Sequence, residues 1–137
     1  MKKYKLYVFT LVCAVLLLFL LTRNGITLQG MSGTYPQNTT SISVRLKNNT
    51  LKTVEYGAAF SIDQYVDGEW MRLENPDKPV NFELWSKTLS PFFAVNLTYP
   101  ISVYSDFQEV GTYRLVIDVR SGTETQTLYY SFTMTDK

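Results

Sequence analysis

No histidine occurs anywhere in the 137 residues, and cysteine occurs once. The first absence removes the commonest general base, the commonest metal ligand and every Ser-His or Cys-His nucleophile pair. The second excludes an intramolecular disulfide and any multi-cysteine zinc site. Charge of neither sign is in excess: 13 Lys+Arg stand against 12 Asp+Glu, a formal net charge of +1. A nucleic-acid binder gathers a basic surplus on one face, so no nucleic-acid partner is expected. The length allows one ordinary domain and no second. These absences predict a protein that is not an enzyme and that holds no metal or cofactor.

What is present is unevenly spread. Leu6 to Leu21 reads LYVFTLVCAVLLLFLL, an uncharged and almost wholly apolar run preceded by Lys2, Lys3 and Lys5. Beyond Arg23, nine basic residues face all twelve acidic ones, so the remainder is mildly acidic at −3. The run is near the lower limit for a helix that spans a membrane. A cleaved signal peptide shares its basic leader and apolar middle, but Thr22-Arg23-Asn24-Gly25-Ile26 offers no small-residue cleavage pair. A lipid anchor on Cys13 fits poorly, because Val12 precedes the cysteine and Ala14 to Leu21 continue the apolar core past it. The expectation is an uncleaved, single-pass transmembrane signal-anchor helix over residues 5–23, in contact with membrane lipid. Three lysines before it against Arg23 after it place the N-terminus in the cytoplasm and the rest outside the cell. The alternative is a domain secreted after signal-peptide cleavage. Residues 1–23 are thus tip and helix, 24–33 a linker, and 34–137 the extracytoplasmic domain.

Past Gly33 the apolar residues repeat with period two, the spacing of half-buried strands. Ile42, Val44 and Leu46 share one face; Val54, Tyr56, Ala58, Phe60 and Ile62 share another register. Asp67-Gly68 supplies a hairpin turn before Trp70, Met71 and Leu73. Val80, Phe82 and Leu84 alternate again. Tyr113, Leu115, Ile117 and Val119 oppose Arg114, Asp118 and Arg120; Ser121-Gly122-Thr123 turns the chain into Leu128, Tyr130, Phe132 and Met134. No stretch after residue 33 has helical spacing. Short strands between frequent turns predict an all-β antiparallel β-sandwich. Glu109 to Leu115 has the look of a tyrosine corner, with Tyr113 near the start of its strand and Leu115 where many immunoglobulin domains carry a core cysteine.

Taken together, Tyr35-Pro36 leading to Ile42–Thr50, Tyr56–Ile62 followed by Asp67-Gly68-Glu69-Trp70, and Gly111–Leu115 resemble a bacterial Ig-like domain family common in exported Firmicutes proteins. The resemblance covers residues 34 to 135 and implies an immunoglobulin-like sandwich outside the membrane, with no catalytic residues to carry over. Within it, Tyr56, Gly57, Trp70, Gly111 and Tyr113 form a structural signature: glycines for close packing or unusual dihedrals, Trp70 in the core, Tyr113 tying a corner. Arg114 pairs with Asp118 or Glu109 or reaches a partner's carboxylate. In the aromatic stretch from Ser90 to Phe107, Phe93, Val95 and Leu97 suit an inward row. Phe92 and Tyr99 remain as candidate partner contacts.

Other chemistry is thinly marked. Asp63, Asp67 and Glu69 lie close but lack the D-x-D-x-D-G calcium pattern. Ser86-Lys87 point to opposite faces of a strand. Asn38, Asn48 and Asn96 open glycosylation sequons, which matter only in a eukaryotic secretory pathway. The expected function is a non-enzymatic binding or scaffolding domain tethered to the membrane, its partner a protein or an envelope component. The alternative is an inhibitor of extracellular proteases acting through the loops Asn75–Pro79 and Ser90–Phe93. A carboxylate hydrolase has no isolated pair of acids to support it.

Overall fold

The computed structural model describes residues 2–22, 25–74, 87–104 and 109–136. It opens with one helix, α1 (Lys2–Thr22), whose described side chains from Tyr4 to Leu20 are all exposed. Among the described residues no helix is long and apolar enough to cross a membrane. The span expected over 5–23 is corrected accordingly. The uncharged run of sixteen residues from Leu6 to Leu21 extends only ~24 Å at about 1.5 Å per residue, against a hydrocarbon core of about 30 Å.

The remainder is β structure in two sheets. The smaller has the order β1 (Ile26–Gly30), β3 (Ile42–Asn48), β8 (Ala94–Tyr99), antiparallel throughout. In the larger, β2 (Thr34–Pro36) pairs in parallel with β10 (Glu124–Thr135), which pairs antiparallel with β9 (Gly111–Ser121). Beyond β9 the sheet forks. One branch is β4 (Val54–Tyr56) with β7 (Lys87–Leu89); the other is β5 (Ser61–Val66) with β6 (Glu69–Arg72). The linker expected over 24–33 thus contains β1, the first strand of the smaller sheet. Ile26 and Leu28 supply only two alternating apolar residues before Gly30, too short a pattern to announce a strand in sequence.

The alternating rows meet between the sheets. Ile42, Val44 and Leu46 from one side and Tyr113, Leu115, Ile117 and Val119 from the other belong to one buried cluster with Leu128, Phe132 and Met134. A disulfide is not needed where apolar rows of this length interlock. Gly30 is glycine for want of room: a Cβ there would fall inside the Tyr130 ring. The Asp67-Gly68 turn carries positive φ at both positions, 51° and 90°, the geometry that matches the twist of the β5–β6 hairpin. A single 3-10 turn, Ile101–Val103, follows β8. Val80, Phe82 and Leu84 lie outside the described residues.

Candidate functional site

The outer face of the larger sheet is where polar chemistry converges. Strand register sets Asp63 of β5 between Arg72 of β6 and Arg114 of β9. Asp63 is 3% exposed and receives Arg72 Nε at 2.5 Å and Arg114 Nε at 2.8 Å, one on each carboxylate oxygen. Arg114 therefore pairs with neither Asp118 nor Glu109, the acids nearest in its own sequence. Its guanidinium carbon lies 4.5 Å from the Trp70 ring centroid and 4.4 Å from that of Tyr129. A cation flanked by two aromatic faces is attracted by both ring quadrupoles. Tyr65 extends the cluster, its ring 5.0 Å from Trp70.

Trp70 is thus not in the core, as expected from sequence, but half-buried on the outside. Its cross-strand partner is Tyr65, whose parity along β5 is that of Asp63 and opposite to core-facing Ile62. Beside the clamp runs an open groove of about 390 Å³, lined by Phe60, Ser61, Arg72, Val116, Asp118 and Tyr129 among others. Val116, the one apolar residue on the outward row of β9, forms part of this groove. Asp118 accepts a hydrogen bond from Thr127 Oγ1 at 2.6 Å.

The remaining expected residues are scattered. Tyr99 is corrected: it is 3% exposed and packs on Phe60, so it offers no partner contact. It continues the row of Val95 and Leu97, two residues on from Leu97, whereas Phe93, expected at the head of that row, is exposed. Phe92 is exposed, in a tight turn at the start of β8 with φ of 63°. Tyr56 is a core residue, and Gly57 follows it in the connection between β4 and β5. Gly111 adopts no positive φ and has room for a Cβ, so neither reason foreseen for it applies. Tyr113 is fully buried, donates to Glu109 O at 2.9 Å and accepts from Gln64 Nε2 at 3.2 Å. A tyrosine hydroxyl bonding back to upstream backbone at the start of a strand is the tyrosine corner of immunoglobulin-like sandwiches.

That corner, the parallel β2–β10 pairing and the two-sheet core agree with the family assignment. A family model described as bacterial Ig-like domain matches residues 22–133. The chain belongs to the bacterial Ig-like domain family. No curated protein matches it. Among solved structures, this Ig-like chain is similar to the archaellum periplasmic stator protein FlaG from Sulfolobus acidocaldarius, at 16% identity and TM-score 0.39, over 78% of this chain and 99% of that one. It is also similar to a β-glucosidase from Kluyveromyces marxianus in complex with glucose, at 14% identity and TM-score 0.38, over 81% of this chain and 14% of that one. Likenesses at this level carry no functional argument.

Sequence alone missed the clamp because its members come from four strands, β5, β6, β9 and β10. Asp63 was visible only as a calcium candidate, and both its carboxylate oxygens are taken by arginines. Among the described residues, no group of three or more Asp, Glu, His or Cys is placed to hold a metal ion. Asn48 is fully buried, so its sequon is closed to modification in the folded chain. Of the loops considered for protease inhibition, Asn75–Pro79 lies outside the described residues. Ser90–Phe93 is a tight turn closed by Phe93 N donating to Ser90 O.

Proposed function

We propose that this Ig-like domain is a non-enzymatic binding module of the cell envelope that docks its partner on the outer face of the larger sheet. In this reading the apolar surface of α1 lies in membrane lipid and the domain lies outside the cell. The helix surface supports lipid contact: apolar side chains from Leu6 to Leu20 are exposed all round it, and a helix apolar on every side is buried in protein or in lipid.

The observation that carries the binding reading is the clamped Arg114. Tryptophan, tyrosine and arginine are the residue types that dominate interface energetics, and rigid presentation lowers the ordering cost of binding. Here Asp63 fixes the guanidinium between Trp70 and Tyr129 before any partner arrives. Arg72, whose side chain is 57% exposed, stands on the rim with donors for acidic groups of a protein or envelope component. The acids of the clamp and groove support binding over catalysis: Asp63 is engaged by two arginines and Asp118 by Thr127.

The test places a photo-crosslinking residue at Tyr129 or, as a control, at Thr98 on the outer face of the smaller sheet, in native membranes. A reproducible, identified adduct is expected at 129 and not at 98. It should be lost in an Arg114→Lys chain, which keeps the charge but not the planar stack, while circular dichroism stays unchanged. An adduct formed equally at both positions, or one indifferent to Arg114→Lys, overturns the proposal.

A further inference from the structure

The end of the sandwich at which the chain enters from α1 is unusual in what it exposes. Asn49 N donates to Gly25 O at 2.9 Å, and Asn48 N donates to Phe93 O at 3.0 Å. The start of the domain, the loop after β3 and the turn before β8 are therefore within a hydrogen bond of one another. Between them lies Asn48, fully buried, whose Nδ2 donates to Lys52 O (2.8 Å), Leu89 O (3.2 Å) and Ser90 O (3.1 Å). Its Oδ1 accepts from Thr50 N and Thr50 Oγ1 at 3.0 and 2.6 Å. One amide thus braces both loops.

What the loops present is apolar. Leu51 is 61% exposed, Phe92 44% and Phe93 66%. Among the described residues outside α1, the exposed phenylalanines are these two. Phe92 is also strained. Ser90-Pro91-Phe92-Phe93 has the form of a turn with proline second and positive φ third, a place that glycine fills without cost. A bulky residue held there is strained, and such strain persists where surrounding structure over-determines it, often at functional surfaces.

Chain connectivity says what this end faces. Gly25 follows Thr22 by three residues, so their Cα atoms are at most about 11 Å apart whatever the path between them. If α1 lies in lipid, Gly25 and the loops hydrogen-bonded around it lie at the bilayer surface. We infer that the α1-proximal end of the sandwich is a lipid-contacting face. Leu51, Phe92 and Phe93 sink to the boundary between headgroups and acyl chains, and Lys52 meets the phosphates. The inference rests on the reading of α1 as membrane-embedded. It adds that the domain is seated on the bilayer instead of swinging from a tether, which turns the Arg114 face sideways, along the membrane.

The full chain, reconstituted in phosphatidylcholine–phosphatidylglycerol vesicles, tests both statements separately. A nitroxide on the native Cys13 reports the helix. In Cys13→Ala chains, a nitroxide at Thr53→Cys reports the proximal end with its apolar side chains intact, and one at Ser102→Cys reports the far end. Expected is lipid-like oxygen accessibility at Cys13, and several-fold lower accessibility to an aqueous nickel chelate at 53 than at 102. Phe92→Gly with Phe93→Ser relieves the strained turn, so the fold survives; the label at 53 should then move to water while Cys13 stays in lipid. If Cys13 is in lipid but 53 matches 102, seating is overturned and the anchor stands. If 53 is protected but indifferent to the double substitution, these side chains are not what seats the domain. If Cys13 is aqueous, the anchor fails and seating fails with it.

Discussion

At the scale of single residues, burial decides how this domain responds to alkali. Tyr99 is nearly inaccessible beneath Phe60, and burial, with the nearby Tyr56 phenol adding to it, pushes its phenol up to about 12. Burial likewise raises Tyr104 and Tyr113. A group whose folded pKa is raised stabilises the fold fully below its unfolded value, here about 10, and loses that contribution as pH climbs through the folded value. The stability attached to Tyr99 should therefore hold to pH 10 and decline by about 2–3 kcal/mol toward pH 12. Urea midpoints measured from pH 8 to 12 should fall over that window, and Tyr99→Phe should flatten the slope. A parallel decline in the Tyr99→Phe chain would place the titration elsewhere. The surface pair Glu55–Arg120, at 2.6 Å, lowers the carboxyl and raises the guanidinium by their mutual hydrogen bond, but exposed pairs of this kind add little stability.

Among the elements, the β4–β5 region shows how alternation can hide a break. Val54, Tyr56, Phe60 and Ile62 are buried, as one continuous register predicts, but Ala58 in the middle of that row is exposed. Yet Glu55 pairs with Arg120 and Ser61 with Val116, so six steps on one side face four on β9. The two extra residues form a bulge, and an even number preserves the parity of everything beyond it. The β5–β6 hairpin was legible because its turn has its own local code. Gly68 sits at φ 90°, where a Cβ is opposed by backbone sterics even though open space surrounds it. Gly68→Ala should cost about 1–2 kcal/mol, read as a lower urea midpoint with an unchanged strand spectrum. Gly68→Asn should cost less, because asparagine tolerates positive φ.

For the whole molecule, β1 determines where the domain begins. It pairs with β3 over five residues, buries Ile26 and places Gly25 O on Asn49 N. A fragment beginning at Gly33 would lose this strand and leave β3 an open edge beside its own core row, whereas one beginning at Gly25 would keep it. The shorter fragment should be less stable by about 3 kcal/mol, the scale of deleting a buried aliphatic side chain, and more prone to edge-to-edge association. Matching urea midpoints for the two fragments would show that β1 is dispensable.

Period-two rows such as Ile42/Val44/Leu46 and Leu128/Tyr130/Phe132/Met134 determined by themselves that this chain is β-structured, because a pleated strand sorts its side chains by parity with no help from distant neighbours. The Asp67-Gly68 turn and the corner at Tyr113 were legible for the same reason: their hydrogen bonds and dihedrals close within a few residues. Trp70, Arg114, Tyr129 and Asp63 came together only in the tertiary structure, since cross-strand register sets Asp63 and Arg114, 51 positions apart, side by side. The place of Asn48 was decided there too. Three of its amide bonds close locally on Thr50 and Lys52, but it becomes a buried brace only because folding delivers Leu89 O and Ser90 O to its Nδ2.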